Sequence, residues 1–341
     1  MASAKGFYEM IQMIHHRGDV ASGRLRHDGV VAGVAHDALH ATFAAAAPTP
    51  AATDPLAFFR DLAETRNYTL GRPVTPKLTP DGQTVIYLRG GPRDPVLRLY
   101  EFALPAGPER ELLTPAQLLG SAEEKLTAEE KARRERARVS TRGFTKFDLS
   151  KDGVRLLVTL SGQLYVVNRA DLKVTALPGK NWIDPRFSPD GTAVAAVSAG
   201  ELHVIELNAT PLAARALTTG ATATLTHGSA EFVAQEEMGR SEGYWWSPDA
   251  ATLLVQETDE SQVEVRYVAD PLRPEIAPTQ FFYPRAGTPN AIVRLMLVPR
   301  TGGRPLAVAW DHAAFPYLAG VNWPAAAPLT LLVQNREQTE Q

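Results

Sequence analysis

Four times along this chain a hydroxyl residue stands two positions before an aspartate, and each time a run of apolar residues follows. Leu78-Thr79-Pro80-Asp81-Gly82 leads into Thr84-Val85-Ile86-Tyr87-Leu88, and Leu149-Ser150-Lys151-Asp152-Gly153 leads into Arg155-Leu156-Leu157-Val158-Thr159-Leu160. Phe187-Ser188-Pro189-Asp190-Gly191 leads into Ala193-Val194-Ala195-Ala196-Val197, and Trp246-Ser247-Pro248-Asp249 into Thr252-Leu253-Leu254-Val255. Proline presets φ and Asp-Gly accepts the turn geometry, so each unit predicts a hairpin for a mechanical reason. In the second and third units another strand follows, Gln163–Val167 and Leu202–Ile205. A weaker fifth unit surrounds Trp323-Pro324. Repeated small β units bury their faces by stacking on their neighbours, which is the pattern of propeller blades. A β-sandwich uses similar turns, but the sameness of the units favours the propeller. The expectation is therefore an all-β fold, an incomplete β-propeller of about four to five blades. The last blade-like strand, Leu329–Gln334, is followed directly by the polar residues 335–341, which leaves an open sheet edge.

One stretch breaks the rhythm. Leu113 to Arg142 reads as a helical insertion, with Thr114-Pro115-Ala116-Gln117 starting one helix and Thr127-Ala128-Glu129-Glu130 a second. The second helix turns basic at Lys131, Arg133, Arg134, Arg136 and Arg138, and a solvated helix pairing with Glu123, Glu124, Glu129 and Glu130 accounts for that pattern.

The second departure is Glu231–Ala250, EFVAQEEMGRSEGYWWSPDA. Adjacent glutamates diverge by about 100° around a helix axis, yet Glu236 and Glu237 have side chains long enough to converge on one cation. A primary ammonium carries three N–H donors and no acceptor, so two carboxylates satisfy it better than one. The same Gln-Glu-Glu run also reads as an ordinary solvated helix face. Tyr244-Trp245-Trp246 would wall a pocket or form strand core.

Charge and composition exclude several classes. The formal net charge is −3, so no nucleic acid or anionic membrane is implied as partner. With no cysteine, disulfides, thiolate metal sites and cysteine catalysis are all excluded. No run approaches the roughly 18 apolar residues of a spanning helix. Five of the eight histidines (His15, His16, His27, His36 and His40) precede residue 54, but no carboxylate or cysteine pattern completes a metal shell, and no metal site is assigned. An alanine-rich tract, Ala41–Ala52, looks like the end of a signal peptide, but His36, Asp37 and His40 interrupt any apolar core. Residues 1–53 are expected to be a disordered or atypical N-terminal segment. Asp54-Pro55-Leu56 then predicts a short helix with Asp54 as N-cap and Pro55 at its first position.

Glu231-Phe232-Val233 through Trp246 resembles the glutamate motif of the dipeptidyl peptidase IV family of serine peptidases, within the prolyl oligopeptidase clan. The resemblance is closest to the branch of dipeptidyl peptidases eight and nine and their bacterial relatives. It continues in Asp259-Glu260-Ser261-Gln262-Val263-Glu264-Val265 and in Tyr283-Pro284-Arg285-Ala286-Gly287-Thr288-Pro289-Asn290. It covers roughly Asp54 to the C-terminus, 54–341, and concerns the N-terminal propeller domain alone. It departs at Gly239, where those relatives carry aspartate.

The resemblance implies a mechanism. Glu236 and Glu237 would hold the free α-amino group of a peptide, and Arg134-Glu135-Arg136-Ala137-Arg138 resembles the arginine-bearing helix that closes over the substrate. Arg138 aligns with the arginine that contacts the peptide's first carbonyl groups, with Arg136, two residues earlier, as the alternative. The implied reaction removes N-terminal Xaa-Pro or Xaa-Ala dipeptides, without cofactor. No G-x-S-x-G elbow occurs in the chain, and no catalytic residue is assigned to it. The resemblance places the nucleophile and the S1 pocket in an α/β-hydrolase domain beyond residue 341, so this chain alone is expected to be inactive. The partners implied are the peptide N-terminus, that catalytic domain and a possible homodimer. The competing expectation is a non-catalytic propeller that binds peptide N-termini or a protein partner.

Overall fold

The computed structural model describes residue 54 and residues 56–341. The histidines, the alanine-rich tract and Pro55 lie outside the described residues. The chain divides into two compact units, Met1–Arg72 and Pro73–Gln341. In the first, helix α1 spans Ala57–Glu64 and its N-cap position is Leu56. Asp54 therefore sits two residues outside the cap, where its carboxylate accepts the Leu56 N–H at 2.9 Å in a local turn.

The second unit is a β-propeller built blade by blade. The first blade runs in chain order through β1 (Val74–Leu78), β2 (Thr84–Arg89), β3 (Val96–Ala103) and β4 (Glu109–Leu113), all antiparallel. Two short helices follow, α2 (Pro115–Leu119) and α3 (Ala128–Arg136), and then β5 (Arg142–Gly143), which returns to pair parallel with β3. The second blade is β6 (Phe147–Leu149), β7 (Arg155–Leu160), β8 (Gln163–Asn168) and β9 (Val174–Ala176). The third is β10 (Ile183–Phe187), β11 (Ala193–Ser198), β12 (Glu201–Glu206) and β13 (Ala214–Ala216).

The fourth blade is elaborated. β14 (Leu225–His227) leads through helix α4 (Phe232–Glu236) to β15 (Tyr244–Trp246), and both strands pair with the long β16 (Thr252–Asp259). A projecting hairpin, β17 (Val265–Val268) with β18 (Thr279–Phe282), precedes β19 (Ile292–Pro299) and β20 (Leu306–Val308), which complete the blade. Finally β21 (Tyr317–Asn322) pairs with β22 (Thr330–Gln334), with Trp323-Pro324 in the connection between them.

The repeated turn has one construction at all four places. The hydroxyl of Thr79, Ser150, Ser188 or Ser247 accepts the N–H five residues on at 2.8–3.0 Å and donates to the aspartate two residues on. Each aspartate accepts a further backbone N–H at 3.0 Å. These bonds favour the ionised carboxylates, and Asp81, Asp152 and Asp249 are held below the usual range by the hydroxyl first and the backbone N–H second. At Asp190 burial opposes ionisation, but Ser188, Thr192 and Arg300 outweigh it. The residue after each aspartate is left-handed: φ is +70° at Gly82, +73° at Gly153, +69° at Gly191 and +59° at Ala250.

Strand alternation explains the stacking. On β7, Leu156, Val158 and Leu160 face the first blade, whereas Leu157 faces the third. On β11, Ala193, Ala195 and Val197 pack toward the fourth blade, and Val194 and Ala196 toward the second. Leu253 and Val255 on β16 meet the third blade, while Leu254 meets β21 and β22. Both faces of these three strands are buried, so alternate residues serve opposite interfaces and each strand reads as a continuous apolar run.

Candidate functional site

Helix α3 precedes β6 and helix α4 precedes β15, the inner strands of the second and fourth blades. The turns at Ser150 and Ser247 leave the other end of those strands, so an antiparallel meander puts both helices on the face opposite the turns.

Five residues make too short a helix to persist alone, so α4 depends on what surrounds it. Glu231, at its N-cap, is 6% exposed and pairs with the equally buried Arg240 at 3.2 Å. Arg240 also donates to the Leu318 carbonyl at 3.1 Å and to Gln256 Oε1 at 2.8 Å, and Gln256 Nε2 donates to Glu231 at 2.7 Å. The Arg240 N–H donates to the Ala234 carbonyl at 2.9 Å, closing the chain back on the helix. Phe232 meets the Tyr283 ring edge-on with centroids 5.1 Å apart. Gly239 makes the turn at φ +64° with open space around it, so the glycine answers a backbone need. Gly243 answers a spatial one, because a Cβ there would lie 2.4 Å from the Gly228 and Ser229 backbone.

Glu236 ends this helix and Glu237 is its C-cap. Both are exposed, and among the described residues neither carboxylate has a hydrogen bond or ion pair. Two anions at the C-terminal end of a helix add to its partial negative charge, an arrangement a cation relieves.

The arginine-bearing helix reaches the same place. Arg136 donates to Gln235 Oε1 at 3.3 Å and lies 5.7 Å from the Phe232 ring centroid. Arg138 falls beyond the helix, at φ +53°, with an exposed side chain that has no hydrogen bond or ion pair among the described residues. The structure thus brings Arg136 onto the glutamate helix and leaves Arg138 exposed beyond the helix end. The expectation that this helix is merely solvated needs correction at Arg134, which is 7% exposed and buried between carboxylates. The helical stretch is also shorter than the span from Leu113 to Arg142, since Leu113 ends β4 and residues 120–127 are irregular.

The aromatic triplet is the inner strand of its blade. Tyr244 is fully buried and its hydroxyl donates to the Ala195 carbonyl at 2.8 Å, while Trp246 packs toward the third blade and Trp245 toward β21 and β22. Glu260, just past β16, is a group to which sequence assigned no role. Burial pushes its carboxyl up to about 7, partly offset by Arg136 and reinforced by Glu231. The Glu231–Arg240–Gln256 cluster was likewise missed, because side chains so far apart in sequence reveal no pairing through spacing.

Comparison with known proteins bears on the family and the fold. Human (Homo sapiens) dipeptidyl peptidase 8 is 28% identical over 189 residues, covering 48% of this chain and 21% of that protein. The mouse (Mus musculus) dipeptidyl peptidase 8 is 25% identical over 253 residues, covering 62% of this chain and 28% of that protein. The chain thus spans well under a third of the curated relatives it matches. The crystal structure of Porphyromonas gingivalis dipeptidyl peptidase 4 shares the fold, with a TM-score of 0.58 and 20% identity over 76% of this chain and 36% of that one. Residues 150–341, more than half of the chain, match the model of the dipeptidyl peptidase IV (DPP IV) N-terminal region, and the chain belongs to that family.

Proposed function

We propose that this chain is the substrate-recognition propeller of a serine dipeptidyl peptidase that removes N-terminal Xaa-Pro or Xaa-Ala dipeptides. The observation that carries the proposal is the pair of unpartnered carboxylates, Glu236 and Glu237, at the end of a helix that a buried charge network holds in place. A peptide's α-ammonium binds between them, and Arg138, or Arg136 two residues earlier, donates to a backbone carbonyl. An ammonium–carboxylate contact of 4 Å is worth about 4 kcal/mol at an effective dielectric of 20, before desolvation is subtracted. The pair acts as a ruler from the N-terminus and sets the scissile bond two residues along, at a nucleophile in an α/β-hydrolase domain encoded beyond residue 341. A reading frame that continues into a G-x-S-x-G motif is the expected finding. A stop codon there would favour the second reading, a non-catalytic propeller that binds peptide N-termini, which every binding group named here lies within this chain to perform.

Calorimetry with the tripeptide Ala-Pro-Ala and its N-acetyl form tests the clamp. Acetylation, Glu236→Ala and Glu237→Ala should each weaken binding by about 1.5–3 kcal/mol, the loss of a hydrogen bond between charged groups. Equal affinity for the free and acetylated peptides would sink the assignment. A homodimer is proposed as well, supported by the β17–β18 hairpin, which exposes Tyr267, Val268, Leu272 and Ile276. Sedimentation of the intact protein as a monomer would refute it.

A further inference from the structure

Helix α3 has almost nothing apolar with which to dock. Its sequence, AEEKARRER, offers two alanines among charged residues, and nine residues are too few for a helix to persist alone in water. Its N-cap Thr127 accepts the Glu130 N–H at 3.1 Å, which starts the helix but does not fix it to the propeller. The fixing comes from Arg134. Nε donates to Glu130 Oε1 at 2.7 Å, and Nη2 donates to Glu124 Oε1 at 2.8 Å. The three side chains are only 8%, 13% and 11% exposed, so this cluster is largely shielded from solvent. Glu124 in turn spends its second oxygen on the Gly143 N–H at 2.8 Å. Gly143 belongs to β5, which pairs with β3, and a Cβ at this position would meet the Leu97 carbonyl at 2.5 Å. The carboxylate is therefore fastened to a backbone that cannot move aside.

We propose that Arg134 is a positioning residue: its bridge through Glu124 to Gly143 locks α3 onto the propeller, so that Arg136 is carried to Gln235 and Phe232 on the glutamate helix and Arg138 is presented beside it. Arg134 touches no substrate; it acts through the arginines that follow. The role in peptide binding rests on the proposed function above, whereas the lock itself does not.

Hydrogen exchange on the full chain separates the two. In Arg134→Met, the amides of residues 132–139 should exchange at least ten times faster than in the wild type, while those of β7 and β11 stay unchanged. Arg134→Lys, which keeps one of the two ion pairs, should restore part of the protection. In the same variants the affinity for Ala-Pro-Ala should fall about tenfold for Met and less for Lys, with the unfolding midpoint of the blades retained. Unchanged exchange over 132–139 in Arg134→Met overturns the lock. Faster exchange with unaltered peptide affinity overturns the positioning role. If the wild-type chain fails to bind the peptide at all, the proposed function falls, and the exchange result still decides the lock. Should Arg134→Met fail to fold, Glu124→Gln removes the same bridge while keeping an acceptor for Gly143, and the same exchange criterion applies.

Discussion

Replacing Glu231 by alanine strikes at the support of the glutamate helix rather than at the glutamates themselves. The Glu231 and Arg240 side chains are each 5% exposed. Removal leaves a guanidinium in the interior with two carbonyls, Leu318 and Glu242, and the Gln256 amide oxygen for company, but without the carboxylate it pairs with. Gln256 Nε2 loses an acceptor at 2.7 Å in the same step. Breaking a buried pair from one side costs about 3–5 kcal/mol, whereas truncating an exposed carboxylate such as Glu237 stays within about 0.5 kcal/mol. In urea, at a slope of about 3 kcal/mol/M, the Glu231→Ala midpoint should drop by about 1–1.7 M. The double substitution Glu231→Leu with Arg240→Met removes both charges together and should recover most of that loss. A single-mutant cost below about 1 kcal/mol, or a double mutant no better than the single, would refute the reasoning.

Glu260 gives a pH test. Its carboxyl titrates near 7 in the folded protein against an ordinary value of 4.5, so folding favours its protonated form; stability is highest below 4.5 and falls as pH rises toward 7. At 1.36 kcal/mol per unit the ionised side chain costs about 3 kcal/mol above that window, so Glu260→Gln should stabilise the protein by that order at pH 8.5 and by nearly nothing at pH 4. Denaturant midpoints at the two pH values check this, and an equal gain at both would count against it. The repeated turns give a steric test. Gly82→Ala meets open space and should cost only the left-handed strain of about 1–2 kcal/mol. In Gly153→Ala the added Cβ would lie 2.8 Å from Pro80 Cδ, so thermal denaturation should show a loss larger by about 1 kcal/mol or more.

The blades were legible because their signals are local. A hydroxyl, an aspartate two residues on and a left-handed residue after it specify one hydrogen-bonded turn. Alternation does the rest, which is why β7 begins and ends at Arg155 and Leu160, as its sequence predicts. The expected strand from Thr252 stops at Val255, where polar residues begin, yet β16 continues to Asp259. It does so because Gln256 and Thr258 are buried on partners from distant segments, Glu231 and the Ser229 carbonyl. The aromatic triplet resolved into strand core for the same reason: Tyr244 finds its acceptor on β11. At the site, the two glutamates were visible as a motif, but their support was not. Glu231, Arg240 and Arg134 look in sequence like members of solvated charge runs, and only the chain's return through β16 and β5 buries them.

The most direct measurement of the central claim is a crystal structure of the chain with Ala-Pro-Ala bound. The account predicts the peptide's ammonium nitrogen within hydrogen-bonding reach, about 2.7–3.2 Å, of carboxylate oxygens from both Glu236 and Glu237, with an arginine of the 134–138 segment on the first carbonyls. A peptide bound elsewhere, or with its amino group turned to solvent while Glu236 and Glu237 remain empty, would contradict it.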